Sequence, residues 1–165
     1  MSAGRQRSRP MAKRDDSYDL ALKALRYRER TESELCGLLA ERGVEEAEIA
    51  EVVAVFAEAG AIDDAGFARR YAEDKRELAG WGPERIAKAL EARGVDRAHI
   101  EAALGREDES SQLERAIALL GDRGMPCGTE RERERALGLL IRRGYPLELA
   151  YEAVRGAERA VREEA

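Results

Sequence analysis

Cysteine is scarce in this chain, two residues in 165, and Cys36 and Cys127 form no CxxC pair. That excludes a disulfide framework and reads as a protein of the reducing cytoplasm. Proline is limited to four residues, and no apolar run reaches membrane-spanning length, which removes the collagen-like and transmembrane classes. The opening residues carry Arg5, Arg7, Arg9, Lys13 and Arg14, yet no apolar stretch follows that could be a signal-peptide core. There is no GxxxxGK(S/T) loop for nucleotide phosphates and no GxSxG nucleophile elbow. The sole histidine, His99, has neither a second histidine nor a cysteine pair with which to share a metal. The expectation is a protein that is not an enzyme and uses no cofactor and no metal.

What is present is charge and aliphatic bulk. Charged residues make up 38% and apolar ones 44%, enough apolar content for a packed core despite only 5% aromatics. The net charge of −5 argues against a protein that simply coats DNA. The charge is uneven. Residues 1–17 hold five cations against two anions, residues 18–62 five against ten, residues 63–105 eight against nine, and residues 106–165 eleven against thirteen. The basic head reads as a flexible tail over residues 1–16, either a solvated leader (with Met11 as an alternative start) or an arm that touches DNA.

Internal repetition is the strongest feature. Leu35–Val53, Ile86–Leu104 and Ala136–Val154 align without gaps, and each carries Arg-Gly followed by Val or Tyr, at Arg42-Gly43-Val44, Arg93-Gly94-Val95 and Arg143-Gly144-Tyr145. A near-constant spacing of about fifty residues signals a repeat array. Upstream of each glycine an apolar face recurs: Leu35, Leu38 and Leu39; Ile86, Ala89 and Leu90; Ala136, Leu139 and Leu140. The glycine then supplies the left-handed residue that ends the helix, and the following Val or Tyr folds back as its hydrophobic contact. Downstream, Ile49 and Val53, Ile100 and Leu104, and Ala150 and Val154 mark the buried face of a second helix.

A further helix precedes each pair. Its apolar positions are Tyr18, Ala21, Leu22 and Leu25 in the first unit, Phe67, Tyr71 and Leu78 in the second, and Leu113, Ala116, Ile117 and Leu120 in the third. Thr31-x-x-Glu34 and Thr129-x-x-Glu132 fit capping boxes, Pro83 and Pro146 fit first helical positions, and Asp63 and Asp64 suit a turn leading into a new N-cap. The reading is all-α: about nine helices of roughly 10–16 residues in three tandem three-helix repeats, forming an elongated, curved, solenoid-like array. Its boundaries fall at 17–62, 63–106 and 107–165. Such an array offers a long surface rather than a closed pocket, and suits an extended partner.

These residues resemble the RecX family of regulatory proteins, which modulate the RecA recombinase. The resemblance runs from about Tyr18 to Val154. It is carried by Gly60-Ala61-Ile62-Asp63-Asp64, Phe67-Ala68 and Tyr71, by Gly82-Pro83-Glu84-Arg85-Ile86, Leu90 and Arg93-Gly94-Val95, and by Leu140-Ile141-Arg142-Arg143-Gly144-Tyr145. It implies a non-enzymatic monomer that lies in the groove of the RecA filament on single-stranded DNA, with at most weak direct DNA contact of its own. It implies inhibition of strand exchange, ATP turnover and co-protease activity, and so modulation of homologous recombination and DNA repair. Two rivals stay open: a helix-turn-helix-like DNA-binding regulator, and a generic helical adaptor with another protein partner.

Candidate filament or phosphate contacts in the middle unit are Arg69, Arg70, Lys75, Arg76, Arg85, Lys88, Arg93 and Arg97. Each is equally readable as a solvated cation; Arg69 has Glu73 and Arg70 has Asp74 four residues on. Arg131, Arg135 and Arg142 would form a basic stripe on one helix, answered either by an acidic partner or by neighbouring glutamates. Trp81, between Gly80 and Gly82, reads as a partner or base-stacking anchor, or as packing across the joint between repeats, the commoner fate of a large aromatic. Phe56, Phe67, Tyr71 and Tyr151 read as core, Cys36 as a small core hydrophobe, and Cys127 as a residue of an exposed Gly-rich loop.

Overall fold

The computed structural model describes the backbone of residues 11–164 and the side chains of residues 16–163. Among the described residues there are nine helices and no strand: α1 (Met11–Tyr27), α2 (Glu32–Glu41), α3 (Glu46–Glu58), α4 (Asp64–Ala79), α5 (Pro83–Ala92), α6 (Arg97–Leu104), α7 (Glu109–Asp122), α8 (Glu130–Arg143) and α9 (Leu147–Glu164). The chain divides into two compact units, one ending at Asp64 and one beginning at Ala65.

The repeated Arg-Gly-(Val/Tyr) turn works as its chemistry predicts. Gly43, Gly94 and Gly144 have φ of 76°, 73° and 87°. The N–H of Val44, Val95 and Tyr145 then reaches back to the carbonyl of Leu39, Leu90 and Leu140, each at 3.1 Å. This six-to-one bond is the Schellman closure, and it needs a residue that tolerates positive φ. Both capping boxes form: Thr31 and Thr129 accept from the Glu34 and Glu132 N–H groups, whose side chains return the bond.

The first unit packs α1–α3 around Ala21, Leu35, Leu39, Ile49, Val52, Val53 and Ile62. In the second unit Phe67, Ala68, Ile86, Leu90 and Ile100 join α4–α6, and Ala116, Leu120, Leu140, Tyr145 and Val154 join α7–α9. Each trio buries one face per helix, which is why a three-helix period recurs.

The structure corrects several expectations. Helix lengths range from 8 residues in α6 to 18 in α9. Helix α1 starts at Met11, inside the stretch expected to be tail, while residues 1–10 lie outside the described residues. Pro146 sits one position before α9, its carbonyl accepting the Ala150 N–H at 2.9 Å. Asp64 is the first residue of α4, and its carboxylate also accepts the Glu32 N–H at 2.9 Å, closing an orphan donor of α2. Leu22, Leu78 and Tyr151, expected to be core, are 39%, 85% and 51% exposed. Cys127 is buried instead of exposed, and burial raises its thiol pKa. Cys36 is half-buried beside the first core.

Candidate binding surface and the joint between the second and third repeats

Four of the sequence-predicted contact residues, Lys75, Arg76, Trp81 and Arg85, are drawn into a joint inside the second unit. The amino end of α5 meets the carboxyl end of α8. The Gly82 N–H donates to the Arg143 carbonyl at 2.8 Å, and the Glu84 N–H donates to the Gly144 carbonyl at 3.0 Å. Both sides of this contact are helix-end groups that have no partner within their own helix. The partial positive charge of one terminus also faces the partial negative charge of the other. Pro83, with no N–H to satisfy, fits between the two donors.

The approach is close enough to require glycine on both sides. A Cβ on Gly82 would stand 2.4 Å from the Gly144 oxygen, and a Cβ on Gly144 would stand 2.4 Å from the Arg85 nitrogen. Side chains tighten the same seam. The Arg85 guanidinium donates to the Arg142 carbonyl at 3.1 Å, and Arg143 donates to the Ala79 carbonyl.

A carboxylate bridge stands behind it. Glu107, in the link from α6 to α7, places one oxygen 3.1 Å from Arg76 Nε and 2.6 Å from Arg115 Nη2. Arg76 also donates to the carbonyls of Ala103 and Leu104, at 3.0 and 3.3 Å. Arg115 donates to the Trp81 carbonyl at 3.1 Å. The Arg76 side chain is only 10% exposed, and burial lowers its pKa, with Glu107 opposing. Tyr145 is wholly buried nearby, its phenol pKa raised first by burial. Trp81 packs against the middle core with Lys75 5.0 Å and Arg85 4.2 Å from its ring centre, and Lys75 also lies 5.2 Å from the Tyr71 ring. Trp81 is half-buried at the joint.

The remaining candidates divide. Arg93 is half-buried, its guanidinium 4.3 Å from the Phe67 ring centre. Arg97 is exposed and pairs with Glu101 at 2.6 Å. Glu73, expected beside Arg69, lies 3.9 Å from Arg106 instead. Arg69, Arg70 and Lys88 are exposed on α4 and α5. On α8 the residues Arg131, Arg135 and Arg142 are all exposed, while Ala136 and Leu140 face the core. Steps of four and seven residues keep those three cations on one line of the helix. No group of three metal-ligating side chains occurs among the described residues, and no described helix is long and apolar enough to cross a membrane.

Residues 18–54 match the family model described as RecX, first three-helix domain, and residues 63–104 match RecX, second three-helix domain. The regulatory protein RecX of Mycolicibacterium smegmatis is 32% identical, over 92% of this chain and 84% of its own length. This chain belongs to the RecX family. The regulatory protein RecX of Mycobacterium avium is 33% identical, over 92% of this chain and 90% of that one. The fold is that of the RecX crystal structure from Lactobacillus salivarius, at a TM-score of 0.80 and 20% identity over 91% of this chain and 99% of that one.

Within this RecX chain, Arg143 is marked in the sequence only through its repeated turn, and Glu107 and Arg115 are structural residues that sequence reasoning did not find. Their partners lie in other helices and in a short link. No periodicity marks them; only the two glycines of the seam, Gly82 and Gly144, left a trace in the sequence.

Proposed function

We propose that this chain regulates the RecA recombinase by lying in the groove of the RecA filament on single-stranded DNA. There it restrains strand exchange, ATP turnover and co-protease activity without catalysing a reaction of its own. The observation that carries this reading is membership of the RecX family across nearly the whole chain. The architecture is compatible with it: the described helices present rows of side chains, and cations such as Arg131, Arg135 and Arg142 are exposed to solvent.

The partition of the candidates narrows the contact set. Lys75, Arg76, Trp81 and Arg85 sit at the joint, Arg93 lies against the Phe67 ring and Arg97 pairs with Glu101, so the filament contacts in this proposal are Arg69, Arg70, Lys88, Arg131, Arg135 and Arg142. Purified chain added to RecA on single-stranded DNA is expected to lower both DNA-dependent ATP turnover and strand exchange. No effect on either at stoichiometric excess refutes the reading. A duplex preference that survives moderate salt transfers the function to sequence-reading DNA binding instead.

A further inference from the structure

The groove between α2 and α3 of the first unit differs from its counterparts in a way the repeats themselves reveal. It encloses about 890 Å³, and Ile49 and Val53 form its buried floor. The third repeat has the same groove between α8 and α9: seven of the eight residues lining it align with residues lining the first. There the volume is about 430 Å³. The reason lies in four aligned positions. Ala50 and Ala54 of the first repeat correspond to Tyr151 and Arg155 of the third, and Glu32 and Ala57 correspond to Arg133 and Glu158, which face each other at 3.6 Å. In the middle repeat the positions of Gly37, Ala40 and Ala50 carry Lys88, Glu91 and Glu101, the last of these paired with Arg97. The third repeat fills its groove with its own side chains, and the first leaves it open.

We propose that the α2/α3 groove of the first unit is a docking site for a basic, amphipathic α-helix of a protein partner. The apolar floor calls for an apolar face on the occupant. The open space matches about two turns of a helix 10–12 Å wide. A helix satisfies its own backbone groups, whereas an extended segment would bring unpaired N–H and C=O groups onto Ile49 and Val53. The small residues Gly37, Ala40, Ala50 and Ala54 allow it to approach closely. The charge requirement comes from the rim, where Glu32 and Glu46 are exposed. Residues 32–58 contain eight glutamates and a single arginine. A cationic outer face is therefore complementary, and its attraction weakens as salt rises.

Cys36 lies in the wall of this groove and is half-buried, whereas Cys127 is 2% exposed, so alkylation of Cys36 in the full chain reports occupancy. The probe is a synthetic helical peptide with leucine on one face and lysine on the other, alongside a counterpart with glutamate for lysine. The basic peptide is expected to slow Cys36 alkylation by about fivefold or more at low salt, and much less at high salt, with the acidic peptide inert. Replacing Ala50→Tyr and Ala54→Arg together copies residues that the third repeat already accommodates, and is expected to abolish the protection. Protection by both peptides, by neither, or undiminished in the double variant overturns the proposal. So does a rise of about tenfold or more in peptide affinity on removing residues 1–10, because the groove then belongs to the chain's own arginine-rich head.

Discussion

Replacing Gly82 with alanine isolates the contribution of the α5–α8 seam. Gly82 has φ −82° and ψ 170°, a conformation any residue adopts, so alanine introduces no backbone strain. The whole cost arises from the collision of the new Cβ, 2.4 Å from the Gly144 oxygen, 2.5 Å from its carbonyl carbon and 2.6 Å from the Tyr145 nitrogen. Those are backbone atoms and cannot rotate away. Restoring ordinary contact means separating the two helix ends by about 1 Å, which stretches hydrogen bonds now at 2.8 and 3.0 Å to nearly 4 Å, beyond useful length. Each of the two backbone bonds contributes about 1 kcal/mol net, and the Arg85 and Arg143 bonds add more to the extent that their long side chains fail to follow. The expected loss is about 2–4 kcal/mol.

Gly43→Ala is the matching control. Its φ is 76°, and a Cβ there meets nothing within 4 Å, so only left-handed strain of about 1–2 kcal/mol applies. The assay is urea unfolding followed by fluorescence of Trp81, the only tryptophan in the chain and itself beside the seam. Gly82→Ala should shift the midpoint well beyond any effect of Gly43→Ala on the same signal, and should alter the native emission. A Gly82→Ala protein within about 0.5 kcal/mol of wild type, with unchanged emission, refutes the close packing of the two helix ends.

Glu107→Gln keeps the shape of the bridge but removes the charge between Arg76 and Arg115. With the side chains 10–20% exposed, a loss of about 1–3 kcal/mol is expected by denaturant titration. Thr129→Ala removes one capping box at a cost of about 1 kcal/mol, and Thr31→Ala, at a wholly buried threonine, costs towards 2 kcal/mol; thermal unfolding checks both. Acid should weaken the second unit. Asp108 is held below its ordinary value of 3.8, first by the Ser111 N–H, and Glu132 below 4.5, first by the Thr129 N–H. Depressed carboxylates contribute stability that is complete above those ordinary values and drains as pH falls through the folded ones. Asp108→Asn keeps an N-cap acceptor but does not titrate, so the dependence of stability on pH below about 4 should flatten.

The helix ends were the most legible part of the chain, because capping is local chemistry. Thr31, Thr129, Gly43, Gly94 and Gly144 each act through atoms within a few residues, and spacing alone exposes them. Burial was less legible. Leu78 continues the apolar spacing of α4, yet it faces solvent beyond the last turn that packs against α5 and α6. Tyr151 sits on α9 in the groove of the third repeat, which it helps to fill, rather than in the core. The joint was barely legible, through Trp81 and the glycines of its seam. Arg69 and Arg76 share one line of α4, but only Arg76 meets Glu107. Periodicity tells which residues of a helix lie side by side; it does not tell which of them another element will cover.

That division separates two kinds of loss of function. Converting Arg131, Arg135 and Arg142 together to glutamine removes three exposed cations, of which Arg131 and Arg135 repel one another at i, i+4. Stability should therefore stay within about 0.5 kcal/mol of wild type, or rise slightly. If α8 contributes the filament contact, the concentration needed to halve RecA ATP turnover should rise by about tenfold, the equivalent of 1.4 kcal/mol spread over three contacts at the partly screened surface. Arg76→Ala should behave in the opposite way. It strands Glu107 with one partner and frees the Ala103 and Leu104 carbonyls, so unfolding comes first and any loss of inhibition tracks the unfolded fraction. Measuring denaturant stability and ATPase inhibition on the same preparations sorts the two. Wild-type inhibition by the triple glutamine protein removes α8 from the contact set. A fully stable Arg76→Ala protein that fails to inhibit would return Arg76 from the joint to the binding surface.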